Sequence, residues 1–104
     1  MGASEFQQYV DGVDPSEAFR DAREDARYEY GNRGYTGSLA EKDDYVVIAD
    51  KPTSRELAEA LASRLMRDDD PRISDKWGPA GAIAIAANGS ASTTGWLFFG
   101  LASC

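Results

Sequence analysis

Thr94-Gly-Trp-Leu-Phe-Phe-Gly-Leu101 is the stretch that decides the fold. In an extended chain successive side chains point to opposite sides. Trp96 and Phe98 then face one way, and Leu97, Phe99 and Leu101 the other. A half-exposed strand alternates apolar with polar residues, whereas one covered on both sides is apolar throughout. Tyr45-Val-Val-Ile-Ala49 follows the same rule, with Tyr45, Val47 and Ala49 opposed by Val46 and Ile48. In Ala80 to Ala87 the alanines Ala82, Ala84 and Ala86 alternate with Ile83 and Ile85, which permits close approach on the alanine side. Both faces of the sheet are expected to be dry.

Working outward, Asn88-Gly89 separates Ala80 to Ala87 from Thr93 to Ala102, a strong hairpin signal. Ser4 to Val10 reads as a first strand, ended by the turn Asp11-Gly12. Asp14-Pro15-Ser16-Glu17 has the cap, the first-turn proline and the acidic third position of a helix start. That helix is expected over Pro15 to Tyr30, with Ala18, Phe19, Ala22, Ala26 and Tyr30 on its apolar side and Gly31 as its stop. Tyr35 to Ala40 is expected to pair as a hairpin with Tyr45 to Ala49. Thr53 and Glu56 form a T-x-x-E capping box for a second helix whose buried stripe is Leu57, Ala58, Leu61, Leu65 and Met66. Asp68-Asp69-Asp70-Pro71 ends it.

The predicted order is β-α-β-β-α-β-β in a single domain, residues 1–104. The class is α+β, a mainly antiparallel sheet with two helices on one face, and a ferredoxin-like core is one candidate topology. Two helices on one face leave the other uncovered. A homo-oligomer (a dimer or higher) built through Trp96, Phe98 and Val47 is therefore expected.

Composition narrows the function. The chain of 104 residues carries a net charge of −7, and no Lys/Arg cluster offers a basic face for phosphates, so direct nucleic-acid binding is not expected. The absence of histidine removes Ser-His-Asp and Cys-His catalysis and histidine metal sites. One cysteine, Cys104, allows neither an internal disulfide nor a thiolate cage. No apolar run approaches a membrane span, and no cofactor or metal is implied; a cytoplasmic protein is expected.

Two stretches are candidate sites. In Gly-Asn-Arg-Gly-Tyr-Thr-Gly, residues 31–37, glycines let backbone N–H groups approach an anion. Arg33 and Lys42 could supply charge there, Gly34 and Thr36 backbone and hydroxyl donors, and Tyr35 a stacking ring. The plainer account is a helix cap followed by a tight connection that needs glycine for its backbone angles. Lys76-Trp77-Gly78-Pro79-Ala80-Gly81 is the second, where Trp77 either lines a pocket or plugs the core.

Y-E-Y-G-x-x-G-Y-T-G-S-L-A-E-K (from Tyr28), D-K-W-G-P-A-G (from Asp75) and the closing W-L-F-F-G-L-A-S resemble a family of small bacterial and tailed-phage proteins of uncharacterised function. Relatives often carry His where this chain has Asn32 and Trp where it has Leu101. The resemblance brings no established activity with it. The expected function is that of a non-enzymatic binding protein, a phage-borne inhibitor or a scavenger of a small anionic, nucleotide-like signal. The alternative is an acidic DNA mimic that blocks a host protein through Glu24, Asp25, Asp43, Asp44 and Asp68 to Asp70.

Overall fold

Four strands form one sheet in the order β1-β4-β3-β2. The computed structural model describes residues 2–30, 36–87 and 90–103. Along the chain lie β1 (Ala3–Asp11), α1 (Pro15–Tyr30), a single 3-10 turn (Leu39–Glu41), β2 (Tyr45–Thr53), α2 (Arg55–Arg67), β3 (Ala80–Ile85) and β4 (Gly95–Ser103). The α+β class holds. β4 runs antiparallel to both β1 and β3, while β2 and β3 are parallel.

The strand expected at Tyr35 to Ala40 is not formed over its described residues, 36–40. Its described part is the turn at Leu39–Glu41, where the Ser38 hydroxyl accepts from the Ala40 N–H. Among the described residues β2 has no hairpin partner and pairs with β3 alone. Asn88-Gly89, Gly31 and Cys104 lie outside the described residues.

The helices also sit differently from the expectation. α1 packs its Ala18, Phe19, Ala22 and Ala26 on Ala80, Ala82, Ala84, Trp96 and Phe98. α2 packs Ala58, Ala62 and Met66 on Ile83, Ile85, Leu97 and Phe99. These are alternate residues of the same strands, so the helices cover opposite faces. Topology explains it. β1, β2 and β3 all point the same way, and crossovers between such strands are right-handed in nearly all sheets. The chain crosses the sheet one way from β1 to β2 and returns the other way from β2 to β3. Two right-handed crossovers in opposite directions put their helices on opposite faces.

This overturns the reasoning for an interface through Trp96 and Phe98. Both are buried within one chain, and the Trp96 indole N–H donates to the Val13 carbonyl at 3.0 Å. Phe98 closes an aromatic cluster with Phe19 and Tyr45, ring centroids 5.3 and 5.9 Å away. Only Val47, at the β2 edge, stays exposed. The alanine side of β3 does admit close approach, and α1 makes it with its own alanines.

Helix ends follow local chemistry. The Asp14 carboxylate accepts from Glu17 N–H at 3.2 Å, as expected. The α2 cap is Ser54 instead of Thr53, its hydroxyl accepting from Leu57 N–H at 3.2 Å, because Thr53 is held in β2 opposite Ile85. Leu57 is exposed instead of buried. Past α2, Asp69 adopts φ 52°, and Asp69 and Asp70 N–H groups donate back to Met66 and Leu65 carbonyls, a Schellman closure. Ser54→Ala is expected to destabilise the protein by about 1 kcal/mol, and Thr53→Ala by less, in denaturant unfolding.

Candidate functional site

Lys42, the cation assigned to the first stretch, meets the second stretch in space, but inward. Lys42 is 1% exposed, and its ammonium donates to three carbonyls of the facing loop: Asp75 at 3.3 Å, Lys76 at 3.3 Å and Gly78 at 2.9 Å. That loop is shaped by an Asx turn, in which the Asp75 carboxylate accepts from Trp77 N–H at 2.9 Å, and by Gly78 N–H donating to the Asp75 carbonyl. Burial lowers the Lys42 pKa from its ordinary value, and the Asp75 charge opposes that shift. With three N–H groups on three carbonyls, Lys42 joins the α1–β2 connection to the α2–β3 connection. It offers nothing outward to an anion.

Thr36 is half-buried and lines a cleft of about 350 Å³ with Ser4 to Gln7, but its polar groups are engaged within its own turn. Its N–H and hydroxyl both donate to Glu41 Oε2, at 3.1 and 2.9 Å, and its hydroxyl lies 2.7 Å from Ser38 Oγ. Gly37, at φ 70°, sits where a side chain would be strained, and its N–H donates to the Ser103 carbonyl. Arg33, Gly34 and Tyr35 lie outside the described residues. Trp77 is 59% exposed, with the Lys76 ammonium 5.4 Å from its ring centroid.

A cleft that the sequence did not announce lies at the opposite end of the sheet. It has a volume of about 240 Å³ and is lined by Tyr9, Ser54, Arg55, Ile85, Ala86 and Ala87. β1, β2 and β3 all end here, and α2 begins here. In sheets with parallel strands, ligands collect at the carboxyl ends of the strands, where helix N-termini present free N–H groups. The Arg55 guanidinium lies 4.7 Å from the centroid of the Tyr9 ring and is steadied by Glu59, one helical turn on, at 3.2 Å. The Tyr9 hydroxyl donates to the Asp11 carboxylate at 2.8 Å. Burial, then that hydrogen bond and the Asp11 charge, push the Tyr9 phenol above its ordinary pKa, so it stays a neutral donor at physiological pH.

Gly95 makes this wall possible. A Cβ there would fall on the Tyr9 phenol, so only glycine lets the ring lie across β4 toward β3. Gly95 is the first residue of β4, directly before its large apolar run. Nothing local, however, pairs residues 9, 55 and 86.

Among the described residues no group of three or more acidic or cysteine side chains could hold a metal ion. No helix is long and apolar enough to cross a membrane. Comparison with protein families, curated proteins and solved structures gives no match.

Proposed function

We propose that this is a non-enzymatic binding protein for a small anionic, nucleotide-like ligand, held in the cleft between Tyr9 and Arg55. The observation that carries the reading is the Arg55 guanidinium fixed over the Tyr9 ring beside the first turn of α2. That arrangement offers a cation for a phosphate and, in the same guanidinium backed by the Tyr9 ring, a planar surface on which a base can stack. At about 240 Å³ the cleft falls below the usual range for large ligands, which favours a mononucleotide or smaller anion. The resemblance noted above supports a setting in the host cytoplasm, as a phage-borne inhibitor that sequesters a signal.

The DNA-mimic reading is the weaker of the two. Asp43 faces Arg23 at 3.5 Å, and Asp70 is clasped by Arg72 at 2.9 Å. Cations therefore interrupt the acidic surface that a mimic would present.

A thermal-shift screen with nucleoside mono-, di- and triphosphates at millimolar concentration tests the proposal. A ligand at a hundredfold its Kd adds about 2.7 kcal/mol, a shift of several degrees in a domain of this size. Arg55→Ala should weaken binding at least tenfold, the magnitude of one lost charge-assisted hydrogen bond. No shift with any of these compounds would sink the reading.

A further inference from the structure

The two edges of the sheet are built unequally. β2 pairs with β3 through two register shifts, and it ends in Asp50-Lys51-Pro52-Thr53, so bulges, charge and proline all blunt it. β1 has neither bulge nor proline, and its charges are the carboxylates Glu5 and Asp11. Its nine residues keep an unbroken register with β4, from Ala3 opposite Ser103 to Asp11 opposite Gly95, without proline, lysine or bulge.

Gly12 N–H donates to the Thr94 carbonyl, so residues 12 and 94 form a hydrogen-bonded pair. Such pairs alternate in an antiparallel ladder, and residues 4, 6, 8 and 10 turn their backbone groups toward β4. Ala3, Glu5, Gln7, Tyr9 and Asp11 therefore turn theirs away from it, and among the described residues no other strand lies on that side.

We infer that β1 is a self-association edge, and that it pairs antiparallel with the β1 of a second copy of this chain. A two-fold axis at Gln7 gives the longest overlap. It sets Glu5 opposite Tyr9 of the second copy and Gln7 opposite its own counterpart, with every outward N–H and C=O in register. Charge decides for a second copy over an unrelated strand. Glu5 then lies on the same face as the partner's Tyr9, beneath the Arg55 guanidinium that covers that ring. The two-fold axis makes the contact twice.

The flank of α2 above the seam is self-complementary too. Ser63 accepts from the Gln7 side-chain amide at 2.9 Å, which fixes that flank over β1. Glu59 and Arg67 lie one helical turn to either side of Ser63. Antiparallel pairing about Gln7 sets the Glu59 of each copy toward the Arg67 of the other. The product is a continuous eight-stranded sheet with both faces already covered. It needs no open apolar face, which is where the expectation built on Trp96 and Phe98 failed. An anion in the cleft would compete with Glu5 for Arg55, so the test is made without added nucleotide and stands apart from the fate of the proposed ligand.

Analytical ultracentrifugation of the full chain over micromolar to hundred-micromolar concentration should show a species of twice 11.3 kDa. Gln7→Pro removes an outward N–H together with the Gln7–Ser63 contact. It should leave the ladder to β4 in place, yet abolish the dimer, whereas Gln7→Ala, which loses the same contact but keeps the N–H, should still dimerise. Glu5→Arg should raise the dimer dissociation constant about tenfold, and Glu5→Arg with Arg55→Glu should restore it. Circular dichroism verifies that each variant is folded. A wild-type chain that stays at 11.3 kDa throughout overturns the inference. So does a dimer indifferent to Gln7→Pro and to the charge reversals.

Discussion

Lys42→Ala is expected to lower the unfolding free energy by at least about 3 kcal/mol, enough to shift the melting temperature by more than ten degrees. The substitution leaves the Asp75, Lys76 and Gly78 carbonyls without their donor, and it opens a void where a fully buried side chain stood. Lys42→Met separates the two effects, since it keeps the stem and removes only the ammonium. Its loss should fall below that of Lys42→Ala while remaining above 1 kcal/mol. The pH dependence has a definite sign. The folded-state pKa lies below the ordinary lysine value of 10.5, so between the two the unfolded chain binds more proton than the folded one. The wild type should therefore gain stability relative to Lys42→Met as pH rises through that window. Denaturant titrations of both proteins at pH 7 and pH 10 measure the difference, in which Tyr9 and other common groups cancel. A gap that narrows in favour of Lys42→Met at high pH would contradict the assignment of burial as the governing cause.

Gly81→Ala is the second large effect, expected at about 1–3 kcal/mol of destabilisation. A Cβ at Gly81 would stand 2.5 Å from Phe99 Cε1 and Cζ and 3.0 Å from Ile73 Cγ2. Phe99 and Ile73 are both 0% exposed, so neither can swing into solvent to make room. The cost must be taken up by moving Phe99 against α2, where Ala58, Ala62 and Met66 already pack. Phe99→Leu in the Gly81→Ala background offers a check. If the clash is the cause, the double variant should lose less than the sum of the two single losses, since each change relieves the other. Additivity in chemical denaturation would show that the glycine acts through its backbone instead.

Helix α1 was legible to the residue, because its cap, first-turn proline and apolar spacing are all local signals. The dry character of both sheet faces was legible in Trp96 to Leu101 and Tyr45 to Ala49, since alternation is set by the chain itself. Other readings failed where a local signal met a longer-range one. Thr53-x-x-Glu56 is a sound capping box, but pairing with Ile85 keeps Thr53 extended and hands the cap to Ser54. Lys42 looked like a cation for an anion site. Its real partners are carbonyls more than thirty positions away, and no spacing rule relates them.

By itself, then, the sequence determined the class, the two helices, all four strands of the sheet and the requirement that both sheet faces be covered. The tertiary structure alone decided how they are covered. Strand order sends the chain across the sheet and back, and the handedness of each crossover then assigns α1 and α2 to opposite faces. The same order brings the ends of β1 and β3 and the start of α2 together into the Tyr9–Arg55 cleft. It also leaves β1, regular and unprotected, at an edge. Handedness and strand order are properties of the assembled sheet, so no window of neighbouring residues contains them.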